Sequence, residues 1–441
     1  MTTNAYNLRK KYPLFVYKDY CYAISGKNLE IFFDFRIPPD FIFQPKIVIK
    51  NVPLARIKKI GERVLNNFIF NLGLIEMFSY WKATCSPEIV IEAGFLDQAQ
   101  IHWWQDLLIR GMGQYFFENK IDFRAKEFVV IENSRNNPDE KSLTVKNLPG
   151  LKNWFLVPVG GGKDSAIVLE MLKKAKKEVC CFGLNPSQAA KKIMAIFGGK
   201  NPVIVERKID PKLFELNHKG FLNGHTPFSA YLAFLSTFCA ALFGYKYIAL
   251  ANERSAEEGN VRYMGEEINH QYSKSFEFEQ KFRAYCQKYL AKNIEYFSLL
   301  RPLYELQIAK MFSRYPKYFK AFLSCNQAQA TKSGRQKPTG KWCGQCPKCL
   351  FVFICLYPFL DKKKIIEIFH KNLFEDKKLL AIMEQLTGKR GFKPFECVGT
   401  ARETRAALQG GNEMAKILHS WGSRHNLSLN LTRILKKQCV C

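Results

Sequence analysis

The stretch Leu156-Val157-Pro158-Val159-Gly160-Gly161-Gly162-Lys163-Asp164-Ser165 limits what this 441-residue chain can fold into more than any other. The apolar run Trp154 to Val159 has the length of a buried strand, and Ala166 to Leu172 carries the period of an amphipathic helix. Three consecutive glycines join them. Without Cβ atoms, their N–H groups can converge on a ligand and approach it closely. The helix that follows adds its unpaired first-turn N–H groups and the positive end of its dipole. A strand, a glycine turn and a helix in this order make an anion site, and phosphate is its usual occupant. Neither G-x-x-x-x-G-K-[ST] nor G-x-G-x-x-G is present, so neither of those nucleotide folds is implied.

The surrounding sequence continues the alternation. Glu178 to Leu184 and Val203 to Arg207 read as strands, Ser187 to Phe197 as a helix, and Tyr247 to Ala251 as a fourth strand. This predicts a doubly wound parallel sheet over residues 151–325. The glycine turn, Asn185-Pro186 and Asn252-Glu253-Arg254-Ser255 each follow a strand end, and ligands of such sheets bind along that rim. Thr226 to Tyr245 is twenty residues without a charge. Its Ala, Ser and Thr content and the strand directly after it predict a helix buried against the sheet, with no membrane span.

Residues 1–150 have a different texture and predict an α+β module. Phe15-Val16-Tyr17, Tyr20-Cys21-Tyr22 and Leu29 to Phe35 read as short antiparallel strands, with a hairpin at Ser25 to Asn28. Ile42 to Ile49 reads as a further strand, and Ile60 to Ala83 and Gln98 to Asn119 as helices. The polar run Asn133 to Lys141 is the expected linker. Residues 326–441 are expected to hold a cysteine knuckle and a basic, helical region, interrupted at Gly388 to Thr400.

Three further constellations carry chemistry. Cys343, Cys346 and Cys349 form two overlapping C-x-x-C spacings, and Cys325 is the nearest candidate for a fourth ligand. Four thiolates suit a structural, tetrahedral zinc, and an iron–sulfur cluster is the alternative. Second, the segments 206–227, 252–260 and 269–275 are dense in Asn, His, Glu, Arg, Ser and Lys. They are poor core material and suited to gripping a charged substrate. Asn223, Arg254, Ser255, Asn269 and Lys274 are the candidate substrate-binding residues, and His270 is a candidate acid/base group. Third, Cys397 lies in Lys393-Pro394-Phe395-Glu396-Cys397-Val398-Gly399. Basic neighbours such as Lys393 and Arg402 would favour its thiolate.

Charge limits the partners. Lys and Arg number 67 against 39 Asp and Glu, a formal charge of +28. The basic residues come in scattered twos and threes, without a basic tail. A nucleotide-type anionic substrate therefore fits better than an obligate nucleic-acid partner. Fourteen cysteines and a start, MTTNAYNLRKKYP, with no apolar h-region predict free thiols in a reducing cytoplasm. The oligomeric state is not legible.

The glycine turn resembles the pyrophosphate loop (PP-loop) of ATP pyrophosphatases, S-G-G-x-D-S, with Gly160 where serine is usual. The resemblance implies a PP-loop/HUP-like sheet in which Gly160, Gly161, Gly162, Lys163 and Ser165 hold the diphosphate of ATP, while Asp164 holds Mg²⁺ or orients the loop. In chain order, V-P-V-G-G-G-K-D-S, L-N-G-H-T-P, N-E-R-S-A-E-E-G-N, N-H-Q-Y-S-K-S-F-E-F-E, W-C-G-Q-C-P-K-C and K-P-F-E-C-V-G resemble the MurL family over residues 150–400. That resemblance implies an ATP-dependent epimerase of peptidoglycan synthesis, supporting cell shape and division. It would convert the terminal L-Glu of UDP-MurNAc-L-Ala-L-Glu to D-Glu and release AMP and diphosphate. Two-face chemistry at Cα would then use Cys397 with one of His225, His270 or Glu253. The cysteine knuckle is also similar to that of 7-cyano-7-deazaguanine synthases, which leaves a PP-loop nucleobase- or tRNA-modifying enzyme as the near alternative. A non-catalytic nucleotide- or nucleic-acid-binding protein is the alternative of another class, and the intact Gly-Gly-Lys-Asp-Ser weighs against it.

Overall fold

The computed structural model describes residues 3–134, 147–330 and 337–440. Its strands are β1 (Leu14–Ser25), β2 (Asn28–Ile37), β3 (Phe41–Phe43), β4 (Lys46–Ile49), β5 (Glu88–Ile91), β6 (Val130–Asn133), β7 (Lys152–Pro158), β8 (Val179–Leu184), β9 (Val203–Lys208), β10 (Tyr245–Leu250), β11 (Val261–Tyr263), β12 (Glu266–Ile268) and β13 (Glu295–Ser298). Eleven of them form one sheet in the order β13-β10-β7-β8-β9-β4-β2-β1-β5-β6, with β3 on β2, and β11 and β12 pair separately.

The α/β fold expected from the sequence is present. β13, β10, β7, β8 and β9 are all parallel. β7 lies between β8 and β10, so the chain reverses its winding direction there. The crevice beyond the carboxyl end of β7 is the topological switch point of a doubly wound sheet, and Gly160–Gly162 sit in it. Alternation along the strands sends residues to two cores. Leu156 and Ile248 join the core that holds the helix Phe228–Phe243. Phe155, Val157 and Ala249 join the one that holds the helices Lys163–Lys174 and Glu305–Phe312.

The amino-terminal part continues the same sheet. β4 pairs antiparallel with β9, from Lys46 opposite Lys208 to Ile49 opposite Val205. β2 and β1 extend the sheet antiparallel, and β5 and β6 extend it in parallel. The pairing of β1 with β5 joins residues more than seventy apart and has no local signature. Asn133 ends β6, and the remainder of the expected linker after Ser134 lies outside the described residues, as do 331–336 of the loop before the knuckle.

The uncharged stretch at 226–245 is the buried helix Phe228–Phe243, ended by Gly244 at φ 76°. No helix among the described residues is long and apolar enough to cross a membrane. The helix at 276 stops at Tyr285 and continues as a π-helical turn over Cys286–Leu290. Helices dominate after residue 347, and Gly388 to Thr400 is irregular. That irregular segment brings Cys397 back toward the crevice.

Candidate active site and metal centre

The glycine turn is built closely. Gly161 has φ 97°, and a Cβ there would lie 2.9 Å from the Ala190 nitrogen, so only glycine fits. Its carbonyl accepts the Leu323 N–H at 2.8 Å. Gly160 is open, with nothing within 4 Å of where a Cβ would be. The helix Lys163–Lys174 begins at Gly162 without a side-chain cap, so its first-turn N–H groups are left for a ligand. The Ser165 hydroxyl donates to the Gly162 carbonyl at 3.1 Å.

Lys163 does not face the crevice. Its side chain is 2% exposed and its ammonium is paired with Asp164 and with Glu305, itself 2% exposed. Burial opposes the charge on Lys163, yet Asp164 and Glu305 together raise its pKa. Glu305 is likewise held ionised: burial works against it, but Lys163 and Lys348 lower its pKa. The expected phosphate-loop lysine thus stands between Asp164 and Glu305. The outward groups are the glycine N–H groups and Asp164, whose side chain is 25% exposed.

The same charged cluster extends to Cys397. Lys348 Nζ lies 3.8 Å from Glu305 Oε1 and also donates to the Cys397 carbonyl. Lys274 Nζ is 3.1 Å from Cys397 Sγ and 3.2 Å from Gln271 Oε1. Burial pushes the Cys397 thiol up, but Lys274 and Lys348 outweigh it and the net shift is downward. His270 Nε2 approaches Cys397 Sγ at 3.9 Å, and its other ring nitrogen meets Gln114 Oε1. The His225 ring lies against it, centroids 4.4 Å apart. Burial first, then Lys274, push His270 down to about 4, and burial first, then the His270 ring, push His225 down to about 3, so both rings are neutral near pH 7. Glu253 is buried. Burial first and Glu305 second push it up to about 7, against the pull of Lys274. Burial and the neighbouring Cys397 likewise push Glu396 up to about 7.

Cys397, His270, His225, Glu253 and Lys274 are thus drawn together from four sequence segments. Cys397 and His270 are in direct contact. Other anticipated residues are engaged elsewhere. Ser255 is fully buried and its hydroxyl accepts the Glu305 N–H at 3.0 Å. Asn269 accepts from Gln271 N and donates to the Ala256 carbonyl, tying its segment to 252–260. Asn223 is exposed, with its side chain turned onto Gly224 N. Arg254 lies over the Tyr304 ring in a neighbouring cleft. Glu305, Lys348 and Gln114 were not anticipated. A glutamate inside the apolar run Leu303 to Phe312 and a lysine between two ligand cysteines were the available signals for the first two.

The four cysteines also converge. Their sulfurs all lie within 4.8 Å of one another, and Cys325–Cys346, Cys343–Cys349 and Cys346–Cys349 are 3.8, 3.6 and 3.5 Å apart. Tetrahedral thiolates with bonds of about 2.3 Å stand roughly 3.8 Å apart, so the cluster has the size of a metal site such as zinc. Cys346 and Cys325 both begin helices, which orients their sulfurs inward.

Comparison with known proteins gives a consistent picture. The MurL N-terminal domain family matches residues 7–299, and the MurL C-terminal domain family matches residues 321–425. A protein of Xanthomonas oryzae pv. oryzae is 35% identical over 76% of this chain and 72% of its own length. One from Salinispora tropica is 31% identical over 90% of this chain and 85% of its own. Both relatives bear the name UDP-N-acetyl-alpha-D-muramoyl-L-alanyl-L-glutamate epimerase.

Proposed function

Because the chain belongs to the MurL family, we propose that it epimerises the terminal L-Glu of UDP-MurNAc-L-Ala-L-Glu to D-Glu at the expense of ATP. The observation that carries the reading is the convergence of the glycine turn, Cys397, Lys274 and Glu253 on one rim of the sheet. The match runs across both the glycine turn and the knuckle, and no observed feature calls for a nucleobase as substrate. Every described cysteine is free, which supports the reducing cytoplasm in which nucleotide-linked precursors are made.

The chemistry addresses one difficulty. The Cα proton beside an ionised carboxylate is hard to remove, because the carbanion would sit next to a negative charge. In this reading the carboxylate attacks the α-phosphorus of ATP, diphosphate leaves to the N–H groups of Gly160–Gly162, and the carboxyl becomes an acyl adenylate whose acyl group no longer carries the carboxylate charge. Asp164, the outward carboxylate, would hold Mg²⁺ against phosphate oxygens. Cys397, whose thiol Lys274 and Lys348 make more acidic, takes the Cα proton as its thiolate, and the electron pair moves onto the acyl oxygen. Glu253, poised near neutrality, returns a proton to the other face. Water then releases AMP and the D-Glu carboxylate. His270 orients the thiol and is itself held by Gln114. The formal charge of +28 suits a substrate bearing a diphosphate and two carboxylates.

The test measures ATP turnover and solvent exchange together. AMP and diphosphate should form only when UDP-MurNAc-L-Ala-L-Glu is present, and in D₂O the product should carry deuterium at Cα of Glu. ATP turnover without exchange, or exchange without ATP, sinks the proposal.

Cys325, Cys343, Cys346 and Cys349 would hold zinc, whose contribution is to close the knuckle that carries Lys348. Elemental analysis is expected to find one zinc per chain, lost on Cys325→Ser. Structural zinc in small fingers contributes about 10–16 kcal/mol, so chelation should lower the unfolding temperature markedly. A protein that is metal-free as purified and unaffected by chelator contradicts this.

A further inference from the structure

Beside the crevice lies a second cleft, of about 400 Å³, bordered by Arg254, Phe276, Tyr304 and the segment Gly422–Arg424. Resting on the epimerase reading, we propose that this cleft grips an oxyanion of the substrate remote from the reacting carbon, either the nucleotide diphosphate or the free carboxylate of the glutamate.

Three observations carry it. First, two guanidinium groups are held ready by aromatic rings. Arg254 lies 4.4 Å over Tyr304, and Arg424 lies 5.2 Å over Phe276. A stacked arginine keeps its planar fork free for bidentate contact with carboxylate or phosphate. Second, the acids lining the cleft are already engaged. Glu257 pairs with Arg301 at 3.1 Å and accepts the Phe276 N–H. Glu258 pairs with Lys393 at 3.5 Å and accepts the Ala401 N–H. Among the described residues, no carboxylate pairs with Arg254 or Arg424. Third, the cleft is joined to the reaction site by a buried cation. Arg301, 2% exposed, lines the cleft, and its Nη1 donates to the Glu253 carbonyl at 2.9 Å. Its other terminal nitrogen donates to the Lys274 carbonyl, while its Nε–H finds no partner. The carboxy-terminal segment is fitted to this use. A Cβ on Gly422 would lie 3.3 Å from Arg254 Cδ, and the Gly422 N–H donates to the Pro302 carbonyl at 2.9 Å. Arg424 is thereby brought opposite Arg254 from a part of the chain that none of the substrate motifs covers.

The experiment compares wild type with Arg254→Ala, Arg424→Ala and the two Arg→Lys variants. Binding is followed by calorimetry, independently of turnover, with UDP-MurNAc-L-Ala-L-Glu, the same glycopeptide lacking UDP, and UDP alone. Loss of one charge-assisted contact weakens binding by about ten- to a hundredfold, so Kd for the full substrate should rise by that factor in the alanine variants. Lysine should restore it only in part, because the fork is lost. If the anion is the diphosphate, UDP alone weakens likewise and the UDP-free glycopeptide is unaffected. If it is the carboxylate, the UDP-free glycopeptide weakens and UDP does not. Wild-type Kd values for all three ligands in correctly folded variants overturn the cleft. The epimerase reading falls separately, if wild-type protein binds the substrate but exchanges no Cα proton.

Discussion

Replacing Cys397 with serine is expected to abolish epimerisation while leaving the ATP loop competent. Removing one positioned acid/base group costs about 10²- to 10⁴-fold, so Cα deuterium exchange should fall by that factor. Serine preserves the size of the side chain and its contacts with Lys274 and His270, but its hydroxyl does not ionise near neutral pH. Substrate-dependent formation of AMP or acyl adenylate should persist, because Gly160–Gly162 and Asp164 are untouched. Lys274→Met provides the complementary measurement. In wild type the ammonium 3.1 Å from Sγ helps hold the thiol below its ordinary range. Without it, burial dominates and the pH profile of Cys397 alkylation by iodoacetamide should move to higher pH. Exchange within a few-fold of wild type in Cys397→Ser, or an unmoved alkylation profile in Lys274→Met, would refute the assignment of the thiolate as base.

The second large effect falls on stability. Lys163→Met should destabilise the fold by about 3–5 kcal/mol, the usual result of leaving one buried charge without its partner. Glu305 would then keep only Lys348, 3.8 Å away. The pH dependence has a definite sign. In wild type Glu305 has a lowered folded pKa, so its contribution is present above the unfolded carboxylate pKa and is lost as pH falls through the lower folded value. In the variant burial dominates, the folded pKa rises above the unfolded one, and the protonated acid is preferred. The variant's deficit in urea unfolding should therefore be largest at pH 7–8 and shrink on acidification toward pH 5. Adding Glu305→Gln to Lys163→Met should recover part of the loss, giving a coupling energy well above zero in a double-mutant cycle. Additive single effects would show that the pair is not a unit.

What the sequence disclosed follows the range of the interactions involved. The glycine turn and the cysteine knuckle are local: a few residues fix the backbone and the chemistry, and both lie where their neighbours predicted. The parallel order of β7 to β10 was legible from strand–helix alternation for the same reason. The motif fixes the position of Lys163 at the start of its helix but does not specify its partner. The partner, Glu305, is 142 residues away. Ser255 is similar: it stands among polar residues in sequence, and in space its hydroxyl accepts the N–H of Glu305. Cys397 was legible as a candidate thiol, but its closeness to His270 depends on how Gly388 to Thr400 folds back.

The junction of β4 with β9 also bears on how the molecule can be taken apart. The edge of Val203–Lys208 turned away from β8 has its backbone donors and acceptors paired because residues near the chain's beginning lie against it. A fragment starting after residue 150 would keep every ATP-loop residue and still present a naked, β-branched sheet margin to other molecules. Such margins template pairing between chains. The early strands therefore act as a permanent selvedge for the catalytic sheet, and insolubility of a shortened protein would report a missing border, not a missing catalytic group.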